Sequence, residues 1–378
     1  MKKKVAIYQN TIGGGGRIKV IAAITRLLNE QGIIPDWLAF RHTIDESFLE
    51  NVLDKPIQAR MVIVPAFSYG LSEFKYIKIN QIIDDLKDNY DLVINSNNTL
   101  AALTDDNKFI HYIHFPREAR LLSQYHNKVI KNMLFRKFFL KIYNSHISPK
   151  YKGEMIGNSK FTRSAMQEVY PLNLSDIKVV YPPVLHPKDN PNNNQKEKNT
   201  VISLGRFGSH KNQKLQIKIA AGLPQLKFKL IGFVGNKNSY KYYEECLRLV
   251  ERLQLKNIEL IKNLAYDKVN KLLNRSQFFI HTMQHEPFGI STVEALFHRC
   301  IPVVNSSGGQ KEIVLKESLR FGNVDEAIRS FQNLEQMSHK TLNKLTEDLY
   351  NHALKFSLQS FYENFEKILN KKLNYDEF

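Results

Sequence analysis

The chain has 378 residues, 43% hydrophobic and 24% charged, a composition typical of a soluble globular protein of about two domains. No apolar run reaches the roughly 18–20 residues that a membrane-spanning helix requires, and the apolar stretch after Lys4 is too short for a secretion signal. We therefore expect a cytoplasmic protein. The 54 basic and 37 acidic residues give a net charge of +17, which favours a polyanionic partner: nucleic acid, an anionic membrane surface or a phosphorylated ligand.

Short β-branched runs alternate with helix-like stretches, the pattern of open parallel sheets with crossover helices. The strands predicted in the first half are Val5–Tyr8, Met61–Val64, Asp91–Asn95, Phe109–His114 and Lys178–Tyr181. Those in the second half are Val201–Leu204, Phe228–Ile231, Ile258–Ile261, Phe278–His281 and Ile301–Val304. The predicted helices are Ile18–Glu30, Lys211–Ala221, Tyr240–Leu253, Tyr266–Leu273 and an amphipathic tail from Leu354 to Leu373.

A polar stretch separates the two halves. Residues 186–199 contain no apolar side chain besides prolines, which is typical of an exposed linker. We therefore expect two α/β domains, 1–185 and 200–354, with a cleft between them and with a tail helix, 355–378, that packs back on the first. Cys246 and Cys300 lie far apart with no CxxC motif, which favours two buried, reduced thiols over a disulfide or a zinc site.

A glycine-rich loop, Gly13–Gly16, follows the first strand and precedes a helix. Bare backbone N–H groups and a helix N-terminus suit a phosphate, although a tight strand-to-helix turn has the same pattern. The spacing is neither that of a dinucleotide-binding GxGxxG loop nor that of a Walker loop.

Three segments of the second half carry candidate chemistry, each at the predicted end of a strand, where open α/β sheets place ligands. In the first segment, Ser203–Asn212, Arg206 and Lys211 offer a guanidinium and an ammonium, a suitable pair for a leaving diphosphate. Two solvated surface cations are the alternative for this fragment alone.

The second segment, His281–Ala295, contains Glu286 and Glu294. Pro287 predicts the first turn of a helix, which would offer the N–H groups of Phe288, Gly289 and Ile290 to a phosphate and place both glutamates on one face. Carboxylates so placed can bind sugar or ribose hydroxyls; solvated helix charges are the alternative. In the third segment, Val303–Val314, Gly308-Gly309 before a new helix predicts another anion pocket.

Together these motifs resemble family 4 of the retaining GT-B glycosyltransferases. The family pattern consists of Gly-Arg, then Lys, then Glu-x-Phe-Gly with a second Glu, then Gly-Gly-x-x-Glu. In this chain the corresponding residues are Gly205-Arg206, Lys211, Glu286–Gly289, Glu294 and Gly308–Glu312. Asn158–Thr162 and Gly13–Gly16 look like family segments of the first half. Within the family, the sequence is most similar to the branch that moves mannose by α-1,2 linkage from GDP-mannose to lipid-linked oligosaccharide, as Gly13–Gly16, Tyr112–Pro116, His281–Met283 and Ser306–Gly309 indicate.

The resemblance implies an α/β fold of the GT-B type, two Rossmann-like domains facing across a cleft with a C-terminal helix crossing back. It implies that Arg206 and Lys211 hold the donor diphosphate, Glu286 the transferred sugar and Glu294 the ribose. Backbone groups of Gly15, Gly16, Phe288, Gly289 and Ile290 complete the implied donor site. Where the family usually ends the helix after Glu294 with glycine, this chain has Arg299, at a cost of about 1 kcal/mol in a left-handed conformation.

The resemblance also implies a mechanism. The sequence has no second Asp or Glu placed to act as a nucleophile on the sugar. The resemblance therefore implies front-face retention, in which the departing diphosphate helps deprotonate the acceptor hydroxyl. We expect no metal, because basic side chains can stabilise the leaving group. His114 is expected to reach the transferred sugar; a strand-end histidine with a structural role is the alternative.

A basic segment without acids extends from Ala119 to Gly153, and its cations are interleaved with aromatic and aliphatic residues. Such a segment suits an anionic membrane surface, reached through residues 128–152 on the cytosolic face; a core helix with a solvated basic face is the alternative. We therefore expect a nucleotide-sugar donor, a lipid-linked glycan acceptor and no nucleic acid. Two further hypotheses stay open: a UDP-sugar transferase of surface polysaccharide synthesis, and a basic nucleic-acid-binding α/β protein.

Overall fold

The computed structural model describes residues 3–13, 15–42, 53, 56–64, 87–98, 108–116, 119, 153–170, 172–187 and 196–373. The chain forms two compact units, Met1–Pro183 together with Leu358–Phe378, and Val184–Ser357. Each unit is built on a parallel sheet whose central strands are buried along their length, as expected for sheets covered on both faces.

The first unit contains a seven-stranded sheet in the order β5-β3-β1-β6-β7-β8-β9, and a small pair, β2 and β4. Its strands are β1 (Val5–Tyr8), β2 (Thr11–Ile12), β3 (Asp36–Ala39), β4 (Arg41–His42), β5 (Arg60–Ile63), β6 (Leu92–Asn95), β7 (Phe109–Ile113), β8 (Glu154–Gly157) and β9 (Ile177–Val179). Its first helices are α1 (Gly16–Glu30) and α2 (Lys160–Val169).

The second unit contains a six-stranded sheet in the order β12-β11-β10-β13-β14-β15. Its strands are β10 (Glu197–Leu204), β11 (Lys227–Gly232), β12 (Ile258–Lys262), β13 (Ser276–His281), β14 (Ile301–Asn305) and β15 (Arg320–Phe321). Its helices are α3 (Gln213–Ala221), α4 (Lys237–Arg252), α5 (Tyr266–Arg275), α6 (Ile290–Phe297), α7 (Gln310–Ile313), α8 (Val324–Glu335) and α9 (His339–Ala353).

The last helix, α10 (Leu358–Leu373), belongs to the first unit. Its Phe361 and Phe365 rings lie 6.3 and 6.4 Å from the ring of Tyr112 in β7. Its Asn370 accepts a hydrogen bond of 2.8 Å from Gln31, at the end of α1. The apolar face of the tail therefore buries against the first sheet rather than remaining in solvent.

The predicted strands are all present, with ends that differ by a few residues. The largest difference is β10, which begins at Glu197 instead of Val201 and so takes in part of the predicted linker. Its polar start is exposed but pairs with Ser276 of β13, so polarity there marks an exposed strand end. The sequence analysis missed β3 and β8, which are poor in β-branched residues, and the two-residue strands β2, β4 and β15.

Two expectations from composition can be compared with the structure. Cys246 and Cys300 are both buried, as predicted, and they are not joined in a disulfide. Among the described residues, no helix is long and apolar enough to cross a membrane.

The strand order places a topological switch point in each unit. The chain adds strands on both sides of β1 in the first sheet and on both sides of β10 in the second. Open α/β sheets bind ligands beyond the carboxyl ends of the strands at such points. Loops after β1 and β6, and after β10 and β13, are therefore the expected binding loops.

Buried neutral histidines predict a loss of stability in mild acid. Burial, with a smaller contribution from nearby cations, lowers the pKa of His111 and His114 to about 3 and the pKa of His298 to about 4. In the unfolded chain each histidine takes up a proton near pH 6.5. Between that pH and the lower pKa of the folded state, the free energy of unfolding therefore falls as the pH drops. Each histidine contributes about 1.4 kcal/mol per pH unit to this fall. Urea unfolding at pH 7.5, 6.5 and 5.5 measures this slope, and a free energy of unfolding that is constant over the range would contradict it.

Candidate functional site

An ion pair joins Lys211 and Glu286, which follow the neighbouring strands β10 and β13 at the switch point of the second sheet. Lys211 Nζ lies 2.5 Å from Glu286 Oε2, and the two side chains are only 24% and 13% exposed. His281, the last residue of β13, has its Nε2 atom 3.2 Å from the same carboxylate oxygen. The structure thus brings together two predicted site residues and a histidine to which the sequence analysis gave no role.

The charge state of this cluster follows from its contacts. Burial alone would raise the pKa of Glu286, but the Lys211 ammonium and the contact with His281 outweigh burial and hold that pKa well below its usual range. Burial lowers the pKa of His281, and Glu286 offsets this only in part. At neutral pH Glu286 is therefore an acceptor-only carboxylate beside a neutral imidazole.

The backbone that carries Glu286 is held by Gly308 and Gly309. A Cβ atom on Gly308 would lie 2.4 Å from the Glu286 carbonyl oxygen, and one on Gly309 would lie 2.4 Å from the carbonyl oxygen of Pro287. The N–H of Gly309 donates to the Glu286 carbonyl at 2.8 Å. The glycines therefore allow two loops to pack backbone against backbone, just before the four-residue helix α7. The anion pocket predicted at this bend stays a prediction.

A second contact fixes the same loop from the other side. The backbone N–H of His285 donates to Ser307 Oγ at 2.8 Å, and that hydroxyl donates to Asn305 Oδ1 at 2.6 Å. His285 itself has a positive φ of 53°, a conformation that non-glycine residues rarely adopt. The strained turn is thus stabilised by the residues that follow β14.

The backbone of Lys211 is held by the segment that follows β13. Thr282, fully buried directly after that strand, donates its hydroxyl hydrogen bond to the Lys211 carbonyl at 2.9 Å and accepts one from Gln216 Nε2 at 3.0 Å. Because Thr282 and Glu286 are four positions apart on one chain segment, the two halves of the ion pair are positioned by the same loop.

Arg206 lies on a fixed turn with an exposed side chain. Gln213 Nε2 donates to the Arg206 carbonyl at 2.9 Å, and the next residue, Phe207, is buried and donates its N–H to the Phe233 carbonyl at 3.0 Å. In the described part of the chain, the Arg206 guanidinium forms no ion pair. An uncompensated cation on a rigid backbone is therefore available to an anionic ligand.

The helix after Glu286 begins later than predicted. Helix α6 starts at Ile290, with Gly289 as its N-cap at a φ of 122°, so Pro287 and Phe288 precede the helix. The Phe288 side chain is buried against Phe356, with ring centroids 5.3 Å apart. Glu286 therefore lies in the loop and only Glu294 lies on the helix, which corrects the prediction that both share one helical face.

Arg299 ends α6 in the left-handed conformation that the sequence analysis expected, with a φ of 61°. The N–H of Cys300 donates to the Ala295 carbonyl at 2.9 Å, as in a Schellman motif. The Arg299 guanidinium pairs with Glu347 and lies 4.0 Å from the centroid of the Tyr350 ring. These contacts offset the cost of a side chain at a glycine position.

The remaining predicted site residues lie in the first unit. Gly15, with a φ of 119°, is the N-cap of α1, and Gly16 is its first residue. His114 follows β7, is 8% exposed, and has its Nε2 atom 3.0 Å from Ser96 Oγ. Residues 128–152, for which we predict membrane contact, lie outside the described residues. Within the described ranges, no group of three His, Cys, Asp or Glu residues is arranged to hold a metal ion.

The packing of Gly309 predicts a position-specific effect of added volume. Gly309→Ala would force the loop of Glu286 away, at a cost of about 1–3 kcal/mol in the free energy of unfolding. Gly205→Ala is the matched control, because its Cβ would meet only the flexible Lys211 side chain, at 3.8 Å. Urea unfolding of both variants measures the difference, and equal stabilities would show that the close approach is not required.

Comparison with known proteins agrees with this geometry. Residues 187–352 match the family described as Glycosyl transferases group 1. The crystal structure of Anabaena Alr3699/HepE in complex with UDP and glucose has a TM-score of 0.70 to this chain at 16% identity, and the likeness covers 97% of this chain and 99% of that one. A glycosyltransferase from Rickettsia africae has a TM-score of 0.72 at 15% identity, over 99% of each chain. The likeness confirms the predicted GT-B fold.

Among curated relatives, the chain is 27% identical over 210 residues to a Dictyostelium discoideum protein named GDP-Man:Man(3)GlcNAc(2)-PP-Dol alpha-1,2-mannosyltransferase, covering 50% of this chain and 40% of that protein. It is 33% identical over 121 residues to the human protein of the same name, covering 29% of this chain and 25% of that protein. The matches thus span less than half the length of these relatives. Residues 187–352 of this chain thus match the family described as Glycosyl transferases group 1, within a chain that has a GT-B fold.

Proposed function

We propose that this protein is a retaining hexosyltransferase that moves mannose from GDP-mannose to a lipid-linked or surface glycan. The observation that carries the proposal is the buried Glu286 carboxylate paired with Lys211, at the switch point of a glycosyl transferases group 1 domain. In this proposal the second domain, 200–354, binds the donor and the first, 1–185, binds the acceptor. The names of the curated relatives support the choice of GDP-mannose and of a lipid-linked acceptor.

The donor diphosphate would bind Arg206 and Lys211. Arg206 is an exposed cation without an ion pair in the described part of the chain, and its planar guanidinium suits two phosphate oxygens. Lys211 would share its charge between Glu286 and the diphosphate. The N-terminus of α6, at Gly289 and Ile290, offers further N–H groups and a favourable dipole.

The two glutamates would take different parts of the donor. Glu286, a carboxylate at neutral pH, would accept hydrogen bonds from the hydroxyls of the transferred sugar. Glu294, half-buried in the second turn of α6, would accept from the ribose. Three residues separate Glu286 from the N-terminus of α6, where the diphosphate would bind. This spacing supports a donor whose sugar lies at Glu286, with the diphosphate at the start of α6 and the ribose at Glu294.

Chemistry would then rest on charge stabilisation of the leaving diphosphate. Arg206 and Lys211 would neutralise the charge that develops as the glycosidic bond breaks, and a departing phosphate oxygen would help deprotonate the acceptor hydroxyl on the same face. We propose that the reaction is metal-independent, since these two cations can supply the positive charge.

The acceptor would be reached at a membrane surface. The basic residues between 128 and 152, rich in aromatic neighbours, would contact anionic lipid on the cytosolic face, and the protein would be peripheral there. The lipid-linked acceptors in the names of the curated relatives support this placement.

Removing the Arg206 guanidinium should slow transfer. Arg206→Ala is expected to lose about 2–4 kcal/mol of transition-state stabilisation, roughly 30-fold to 1,000-fold in kcat/KM. Arg252→Ala, at an exposed arginine at the end of α4, is the matched control and should be unaffected. Initial rates with GDP-mannose measure the effect; wild-type turnover in Arg206→Ala, or complete loss of wild-type activity with EDTA, would contradict the metal-free diphosphate site.

The two glutamates should separate binding from transfer. Glu286→Gln should reduce kcat at least about a hundredfold, as loss of a group that acts at the reacting sugar does, and leave GDP affinity nearly unchanged. Glu294→Gln should weaken GDP binding. Calorimetry with GDP and initial rates are measured on both variants, and each variant is the control for the other. Weakened GDP binding in Glu286→Gln with unchanged GDP binding in Glu294→Gln would refute the division of roles.

Membrane contact should depend on the basic segment. A variant with four basic residues replaced by Gln should no longer bind anionic vesicles, because each cation near such a surface contributes about 1 kcal/mol to the binding free energy. Binding of the wild-type protein should weaken as salt is added. The substituted residues are Lys131, Arg136, Lys137 and Lys141. The matched control replaces exposed lysines of the second unit, namely Lys218, Lys227, Lys237 and Lys241. Cosedimentation measures binding, and persistent binding of the first variant would contradict the proposed surface.

A further inference from the structure

His114 lies in a polar environment that restricts its ring. The residue is 8% exposed, and its ring meets the Tyr112 ring edge-on, with centroids 5.3 Å apart. Its backbone carbonyl accepts a hydrogen bond from Thr162 Oγ1 at 3.2 Å. Its Nε2 atom lies 3.0 Å from Ser96 Oγ, which follows the adjacent strand β6.

The His114 ring is neutral at physiological pH. Burial, assisted by the charge of Arg17, lowers its pKa to about 3. A neutral imidazole carries one N–H, on either Nδ1 or Nε2, and the other nitrogen can only accept. Which nitrogen faces outward as a donor is therefore decided by the contact that Ser96 makes.

Among the described residues, the Ser96 hydroxyl has one acceptor for its proton. Ser96 is fully buried, and in the described part of the chain His114 Nε2 is the one hydrogen-bond partner of its Oγ atom. If Nε2 carried the ring proton, the Ser96 hydroxyl would be a buried donor without an acceptor, at a cost of about 1–3 kcal/mol. If Ser96 donates to Nε2, the buried hydroxyl is satisfied and the ring proton must be on Nδ1.

A second histidine in the same sheet gives the opposite result. Asn95 Oδ1 accepts a hydrogen bond from Asn97 Nδ2 at 3.0 Å, which orients the Asn95 amide so that its Nδ2 lies 3.2 Å from His111 Nδ1. Because Nδ2 is a donor, His111 Nδ1 must accept, and the His111 proton is on Nε2. His111 is thus an internal reference of the other tautomer.

We propose that Ser96 is a positioning residue that fixes His114 as the Nδ1–H tautomer, so that the ring presents a neutral N–H donor on the side away from Ser96. That this donor meets a hydroxyl oxygen of a bound sugar substrate rests on the function proposed above. A neutral donor recognises a hydroxyl oxygen, so sugars lacking that hydroxyl would be poor substrates.

Nitrogen NMR of protein labelled at histidine tests the tautomer directly. In the wild type, His114 should show a protonated Nδ1 and His111 a protonated Nε2, with His114→Gln and His111→Gln variants assigning the signals. Ser96→Ala should release His114 to a mixture of tautomers or to Nε2–H, whereas Ser96→Thr, which keeps a hydroxyl, should retain Nδ1–H. The signals of His111 should be the same in all Ser96 variants, which reports that the sheet remains folded.

Kinetics separate the positioning role from the proposed function. Ser96→Ala should lower kcat about tenfold, as expected for loss of one oriented hydrogen bond, with little change in KM for the donor, and Ser96→Thr should restore it. A wild-type His114 with its proton on Nε2, or a tautomer unchanged in Ser96→Ala, would overturn the inference whether or not the protein transfers sugar. The expected tautomers with wild-type kcat in Ser96→Ala would overturn the positioning role alone.

Discussion

A buried carboxylate needs a partner, and in this protein that requirement organises the site of the second unit. The Glu286 side chain is only 13% exposed, so its charge would be costly to leave without Lys211. The two residues come from loops after different strands, so both loops must be held at ion-pair distance. Thr282 holds one and the backbone contact of Gly309 holds the other. The close approach of the two loops therefore requires glycine at Gly308 and Gly309.

The two units offer different chemistry at the carboxyl ends of their strands. The second presents charges, with Arg206 exposed and Lys211 balanced by Glu286. In the first, His114 and Ser96 are buried and joined by a hydrogen bond, and the ring stays unprotonated beside the charge of Arg17. Under the proposed function this division is useful, because a leaving diphosphate needs charge while a sugar hydroxyl needs oriented neutral donors and acceptors.

Much of the site could be predicted because parallel sheets place strand ends together. The positions of Arg206, Lys211 and Glu286 after buried strands were sufficient to expect them at the sheet edge. His281 also ends a predicted strand, but its role becomes clear only from its 3.2 Å contact with the carboxylate. The start of α6 could not be predicted, since the positive φ of Gly289 depends on the loop packed against it. Strand β3 was missed because it has no β-branched residue, although tertiary packing buries all four of its residues.

The central claim is that the second unit binds a nucleoside diphosphate sugar, and nucleotide binding tests it most directly. A ligand at a hundred times its Kd stabilises the folded state by about 2.7 kcal/mol, so a thermal-unfolding panel of GDP, UDP and ADP reports both binding and base preference. The account predicts that GDP raises the melting temperature most and that added EDTA leaves this rise unchanged. A melting temperature that none of the three nucleotides raises would contradict the account.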